Sequence, residues 1–243
     1  MSTAGSAELA RSAEAAAPAA QSFDLRQDTL RQLNQALHDA TGGSFEVLHP
    51  DGRHAIAVGV DSAATVTIRG HVGYYCGGMN QQATVVVEGN AGPGCAENMM
   101  SGSVRVTGNA SQYCGATAHG GLLVVEGDAA ARCGISMKGA DIVVGGSIGH
   151  MSAFMAQSGR LVVLGDVGEA FGDSIYEARL YVRGRVASFG ADCVEKEMRP
   201  EHATELSELL TAAGFDQAKA SEFRRYGSAR KLYHFDIDHA GEY

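Results

Sequence analysis

The sequence is poor in several features that mark common protein classes. It has no tryptophan and only 4 prolines among 243 residues, and no apolar run approaches the roughly 18 residues of a membrane-spanning helix. Basic residues are also few, since 19 Lys and Arg are present against 28 Asp and Glu, for a net charge of −9. Because nucleic-acid-binding proteins present a basic face, this composition argues against a nucleic-acid partner.

The N-terminus lacks the basic segment and apolar core of a secretory signal. Residues 1–22 are Ala-rich with interspersed acidic side chains, which predicts a disordered or weakly helical tail. A cytoplasmic location, without a membrane or oxidising compartment, is therefore expected.

Familiar catalytic and ligand-binding motifs are missing as well. G-x-x-x-x-G-K-[ST], H-E-x-x-H and C-x-x-C do not occur, and the nine His residues share no ligand spacing. Carboxylate pairs such as Asp173 and Glu177 are better explained as turn acceptors or salt-bridge partners than as a general acid and base. We predict no catalytic, cofactor-binding or metal-binding residue in this chain.

What the sequence does contain is a strict internal repeat. Two apolar columns, beginning with Val66 and Ile68, flank a column of variable residues and precede a repeated glycine. Apolar positions two apart predict a strand with one buried face, and a constant period predicts coils that superimpose. The glycine recurs every 19 residues, at Gly70, Gly89, Gly108, Gly127, Gly146, Gly165 and Gly184.

This repeat predicts an all-β fold, a right-handed parallel β-helix of about seven 19-residue coils with α-helical N- and C-terminal caps. Strands of neighbouring coils would lie ~4.8 Å apart, and right-handed parallel connections are the rule. A left-handed hexapeptide solenoid would need a period divisible by six. We interpret the repeated glycines as structural turn glycines that permit a bend or a close backbone approach.

Four cysteines fall in one column of the repeat, which Ser152, Phe171 and Gly190 continue. A linear ladder cannot surround a tetrahedral metal ion, so stacked core thiols are favoured over redox or metal roles. The four are Cys76, Cys95, Cys114 and Cys133, and Cys193 has no visible partner.

The chain ends are predicted to cover the open ends of the solenoid, because terminal coils expose an unpaired edge. After the tail, residues 23–44 are assigned to an N-terminal helix, about Asp28–Ala40, with Asp28 as its cap. Residues 45–193 form the β-helix domain, whose first coil is degenerate. Residues 194–243 form a C-terminal helical cap and extended tail, with helices starting at Pro200 and spanning about Asp216–Arg225.

The segments between strands are richer in Met, aromatic and His residues than a corner requires. We assign Met79, Met99, Met137 and Met155 partly to core filling. The remaining side chains are predicted to stack into one contact flank, since protein interfaces are enriched in such residues. The candidate interface residues are Tyr74, Tyr75, Met100, His119, Lys138, His150, Phe154, Tyr176, Tyr233 and Phe235.

The phrase G-x-x-G-x-x-x-G, complete at Gly70–Gly77 and Gly165–Gly172, points to a known family. Over residues 45–193 the chain resembles the Gly-rich GXGXG β-helix domain that ends the large subunit of glutamate synthase and also occurs as a separate subunit of formylmethanofuran dehydrogenase. The segments GHVGYYCGGMN, GATAHGGLLVVEG and GHMSAFMAQSG look most similar to the stand-alone, glutamate-synthase-like β-helix subunit of N-methylglutamate synthase.

The resemblance implies a non-catalytic structural subunit. It would hold a class II glutamine-amidotransferase-like subunit and an FMN-binding glutamate-synthase-like subunit in register, in a complex that converts methylamine and L-glutamate to N-methyl-L-glutamate and ammonia. FMN, with an iron–sulfur cluster as a further candidate, would belong to the partner chains. The alternative is the β-helix subunit of a formylmethanofuran dehydrogenase type complex. A solenoid enzyme would need a stacked column of charged side chains, which the sequence does not show.

Overall fold

The computed structural model describes residues 20–230 as one 11-stranded sheet with two α-helices. Strands β1 to β9 follow one another in parallel, and β11 and then β10 complete the sheet in antiparallel pairing, in the order β1-β2-β3-β4-β5-β6-β7-β8-β9-β11-β10. The predicted right-handed parallel β-helix is confirmed. No helix in this described part is long and apolar enough to cross a membrane. The strands are β1 Gln21–Asp24, β2 Gly42–Leu48, β3 Ala63–Arg69, β4 Thr84–Val87, β5 Ser103–Val106, β6 Leu122–Val125, β7 Lys138–Val144, β8 Ser158–Val163, β9 Arg179–Val182, β10 Cys193–Lys196 and β11 Arg224–Ser228, and the helices are α1 Leu30–Asp39 and α2 Pro200–Ala212.

Residues 19 positions apart in the sequence pair directly on neighbouring strands, so the period of the repeat sets the register of the sheet. Val66 pairs with Val85, and Val85 with Val104, so each apolar column forms one line of contacts through the core. Both predicted columns are fully buried. A second wall of single bridges joins the apolar residues just after the repeated glycine, from Val72–Ala91 to Val167–Val186.

The first coil, which the sequence predicts only to be degenerate, is longer than the others. Phe45 pairs with Val66, an offset of 21 residues. The extra residues form a turn around Pro50 and Asp51, and the coil then resumes the shape of its neighbours.

The repeated glycines are needed mainly because neighbouring coils approach closely. Of the seven, only Gly70 has a φ in the left-handed region, at 137°. A Cβ on Gly127 would lie 2.2 Å from Asn109 Oδ1 and 2.9 Å from the Gly108 carbonyl oxygen. The turn formers after the glycines make a side-chain ladder along the axis, because Asn109 Oδ1 accepts the N–H of Asp128 at 2.8 Å. The same bond recurs at the equivalent pairs from His71–Asn90 to Asp166–Arg185.

Helix α1 closes the N-terminal end of the core. Leu33 and Leu37 are fully buried, and Asn34 satisfies two backbone groups of the first coil, the Ala55 carbonyl at 2.8 Å and the Ala57 N–H at 3.0 Å. The helix is shorter than predicted at both ends, because Thr29 and Ala40 have extended backbone and form its caps, and β1 and the start of β2 occupy the ends of segment 23–44. Its N-cap is Thr29 rather than Asp28, which instead accepts the N–H of Asp24.

Helix α2 begins at Pro200 as predicted, but it packs on the outer face of the sheet instead of covering its end. Leu206, Leu209 and Leu210 form a second apolar cluster with outward-facing residues of β6 to β9. The variable column between the two apolar columns is apolar where this helix lies, at Val124, Val143, Val162 and Tyr181.

The predicted helix over Asp216–Arg225 is wrong. That segment contains a single 3₁₀ turn, Ala220–Glu222, followed by β11, which pairs antiparallel with β9. Tyr226 of β11 is buried against Phe171 and Phe189, so sheet pairing and aromatic packing at the C-terminal end prevail over helical propensity. Tyr233 and Phe235 lie outside the described residues.

Candidate interaction surface

Each coil carries an unusual turn between its core-facing columns. In the second coil Tyr75, Gly77 and Met79 all have a left-handed φ, between 53° and 64°. The same three positions are left-handed from the coil of Ala55, Ala57 and Gly59 to that of Ala170, Gly172 and Ser174. We call the surface formed by these turns the turn face; its segments are 74–81, 93–100, 112–119, 131–138, 150–157 and 169–176.

Hydrogen bonding between coils explains why every second residue of the turn is left-handed. The N–H groups of Tyr75 and Met79 donate to the next coil, at the carbonyls of Pro93 and Glu97, whereas the N–H of Gly77 donates back to Ile56. Left-handed residues thus point their N–H groups alternately up and down the axis, so that the backbone is paired in both directions. Residues with a Cβ tolerate this conformation because the stack fixes it. The sequence signals only the middle position, which is always Gly or Ala.

All eight candidate interface residues in the described part lie on the turn face. Tyr74, Met100 and Tyr176 are about half exposed, at 52%, 47% and 46%. His119, Lys138 and His150 are exposed, and Tyr75 and Phe154 are partly buried.

The prediction of core-filling methionines is half right. Met99 and Met137 are fully buried, but Met79 and Met155 are 44% and 40% exposed. The exposed pair occupies the third left-handed position of its turn, which directs the side chain away from the core. The repeat carries a signal for this, because the equivalent positions of the coils between them are polar. The exposed pair adds two flexible apolar side chains to the turn face.

Side chains of successive turns hold one another in place. Tyr75 OH accepts a hydrogen bond from Asn98 Nδ2 at 3.3 Å, and Asn98 Oδ1 accepts one from Thr117 at 2.6 Å. Further along, Arg132 lies over the Tyr113 ring, 5.7 Å from its centroid, and donates to Tyr113 OH at 3.2 Å. The surface is therefore polar at fixed points between exposed apolar side chains.

The opposite flank, the outer face of the sheet, has a different chemistry. Arg69 bridges Glu46 and Glu88, and Arg160 pairs with Asp141 at 2.5 Å. Over β6 to β9 the sheet is covered by α2, where the Tyr181 hydroxyl donates to Glu205. Burial, and then the bond to Glu205, raises the pKa of Tyr181. Charged side chains on this flank form salt bridges with one another, whereas within residues 20–230 no salt bridge joins two side chains of the turn face.

The cysteine column lies inside the core, as predicted. All five cysteines are free and buried. Burial raises the pKa of Cys133 and of Cys193 to about 12, which keeps both thiols protonated and poorly nucleophilic at neutral pH. Among residues 20–230, no group of three or more His, Cys, Asp or Glu side chains could hold a metal ion. Of the acidic side chains on the turn face, Glu97 has a pKa raised by burial.

Comparison with known proteins identifies the family. The GXGXG motif family matches residues 117–212, which span coils from the middle of the β-helix to α2. Protein GlxC of Rhizobium meliloti (strain 1021) is 62% identical over 225 residues, covering 91% of this chain and 99% of that protein. The chain therefore belongs to the GXGXG family of glutamate-synthase-like β-helix proteins.

Proposed function

We propose that this chain is a non-catalytic structural component of a multisubunit, glutamate-synthase-like assembly. The observation that carries the proposal is the turn face, where exposed Tyr, Met and His side chains stand on a backbone fixed by bonds between coils. Exposed aromatic and Met side chains are enriched at protein interfaces. Six turns at ~4.8 Å spacing give this face a length of about 25 Å, enough for a standard protein–protein contact.

The complex that we propose is N-methyl-L-glutamate synthase, which makes N-methyl-L-glutamate and ammonia from methylamine and L-glutamate. The segments on which the resemblance to its β-helix subunit rests, such as 70–80 and 149–159, include much of the turn face. Partners would be a glutamine-amidotransferase-like subunit and an FMN-binding glutamate-synthase-like subunit. The nucleophile and the flavin would belong to them, since the thiols of this chain are buried.

Affinity purification of the tagged full chain from its native cells tests the proposal. We expect stoichiometric recovery of a flavoprotein with the visible absorbance of bound flavin, and formation of N-methyl-L-glutamate by the recovered complex. Recovery of a metal-dependent amidohydrolase-like chain would instead support the formylmethanofuran dehydrogenase alternative. Turnover by the isolated chain would refute a structural role.

A pair of variants tests the surface. Met100→Glu places a charge on the turn face, and Thr107→Glu places the same charge at an exposed position outside it. We expect Met100→Glu to lower recovery of a partner about tenfold or more, because a buried unpaired carboxylate is costly at an interface. Thr107→Glu should leave recovery unchanged. Equal recovery with both variants would show that the turn face is not the contact.

A further inference from the structure

The middle of the turn face carries positive charge without negative charge. The three consecutive turns 112–119, 131–138 and 150–157 contain no Asp or Glu, although the chain has 28 acidic residues and a net charge of −9. The same turns hold Arg132, Lys138, His119 and His150, which we call the basic patch. Acidic residues of the turn face lie beyond it, at Glu97 on one side and at Glu169 and Asp173 on the other.

Arg132 is held in position by uncharged groups of the neighbouring coils. Its side chain lies on the Tyr113 ring, donates to Tyr113 OH, and has one terminal nitrogen 4.0 Å from Met151 Sδ. Its backbone is fixed in the left-handed region at φ 59°. Within residues 20–230, neither Arg132 nor Lys138 forms an ion pair with a carboxylate, whereas Arg69, Arg105 and Arg160 on the sheet flank all do.

The four basic side chains lie on adjacent coils. The N–H of Arg132 donates to the His150 carbonyl at 2.9 Å, and the N–H of Lys138 donates to the Ala118 carbonyl, next to His119, at 2.7 Å. The basic side chains are therefore spread over successive coils ~4.8 Å apart instead of converging on one point. This arrangement suits a chain that bears several carboxylates better than one small anion.

We propose that the basic patch binds an acidic segment of a partner subunit, with Arg132 forming a forked pair with one of its carboxylates. A guanidinium already stacked on an aromatic ring loses little freedom on binding, and an unpaired Arg at the centre of an interface is a typical hot spot. The exposed Met155 and the half-buried Phe154 next to the patch supply the apolar surroundings that exclude water. The inference rests on the proposed function only in taking the partner to be a member of that complex.

Binding of a fluorescent polyglutamate peptide to the purified full chain tests the patch directly, with polyglutamine as the uncharged control. We expect polyglutamate to bind in a salt-sensitive manner, and Arg132→Glu to weaken binding about tenfold or more. Arg132→Lys should also weaken it, because the fork and the ring stacking are lost. Lys219→Glu reverses an exposed cation outside the turn face and should have no effect. Thermal melting of each variant establishes that it is folded.

Partner recovery then separates this inference from the proposed function. If folded Arg132→Glu binds polyglutamate and recovers the flavoprotein as the unchanged chain does, the basic patch is refuted and the structural role stands. If no flavoprotein is recovered with the unchanged chain while polyglutamate binding still depends on Arg132, the patch stands and the proposed complex is refuted. Displacement of polyglutamate by inorganic phosphate, at a phosphate concentration equal to that of the peptide's carboxylates, would also overturn the proposal, because it would indicate a phosphate site.

Discussion

A methyl group added at Gly127 should destabilise the β-helix far more than one added at Gly134. At Gly127 the new Cβ would lie 2.2 Å from Asn109 Oδ1 and 2.9 Å from the Gly108 carbonyl oxygen, and both atoms belong to the preceding coil. Asn109 would have to give up its bond to the Asp128 N–H, which costs about 1 kcal/mol. Forcing the coils apart at the carbonyl costs about 1–3 kcal/mol more, as for an overpacked core.

An alanine at Gly134 would destabilise the protein through its backbone conformation instead of through close contacts. Its φ is 66°, but a Cβ there would lie 3.4 Å from Ile142 Cδ1, 3.5 Å from Met137 Sδ and 3.9 Å from Leu161 Cδ2, which are ordinary contact distances. The equivalent positions of other coils are already alanine, at Ala96 and Ala153 with φ of 55° and 57°. Gly134→Ala should therefore cost only the left-handed conformation, about 1 kcal/mol.

Thermal unfolding of the two variants, followed by circular dichroism, gives the comparison. For a chain of this size each kcal/mol lowers the melting temperature by about 2–4 °C, so we expect a loss of about 10 °C for Gly127→Ala and about 3 °C for Gly134→Ala. The double variant Gly127→Ala/Asn109→Ala should lose less than the sum of its parts, because the two changes share one contact. A larger loss for Gly134→Ala would refute close approach between coils as the reason for the repeated glycines.

Three further predictions concern the core, the stability of the protein at acid pH, and α2. The buried Cys133 thiol, with its pKa of about 12, should resist a thiol reagent at neutral pH until urea is added, as peptide mass spectrometry would show. Asp24→Asn should reduce the decrease in the free energy of unfolding at acid pH, because the Arg26 N–H, and then His49, lower the pKa of Asp24 in the folded protein. The Asp24 contribution is thus present above the unfolded carboxyl pKa and is lost as pH falls through the lower folded value, which urea midpoints between about pH 2 and 5 would detect. Leu210→Ala should cost about 2–4 kcal/mol and speed hydrogen exchange in α2 before it does so in β3 to β5.

The repeat predicts the β-helix well because its physical signal is redundant. The same two apolar columns, the same glycine and the same spacing occur in each of seven copies, so no single irregular position, such as the turn at Asp51, obscures the register. The cysteine column is predictable for the same reason. The repeat also aligns Met100 and His119 on one flank of the turn face. Met79 and Met155 share a column that is polar in the copies between them, which indicates that they turn outward, as the structure shows.

What the sequence does not predict depends on contacts between distant segments. Helix α2 is amphipathic, and its sequence is equally compatible with covering an end of the solenoid or lying on its side. The outcome is fixed by Val124, Val143 and Val162, which make the outer face of β6 to β8 apolar. Along the repeat, these residues belong to a column that reads Thr67, Val86 and Arg105 in earlier copies and is apolar without interruption only from Val124 to Val162. Comparing copies for where that column becomes apolar would have located the helix.

The left-handed turns link the architecture to the proposed role. Each non-glycine residue held at positive φ costs about 1 kcal/mol relative to an ordinary conformation, and such residues persist only where the surrounding structure fixes them. Here the fixing groups are the neighbouring coils, since Arg132 donates its N–H to His150 while Ser136 donates to Phe154. A backbone so constrained has little conformational entropy to lose when a partner binds, and ordering of loops at an interface is a major opposing term in association. The strain of the turns and the suitability of this face for binding a partner therefore have one origin, the stacking of identical coils.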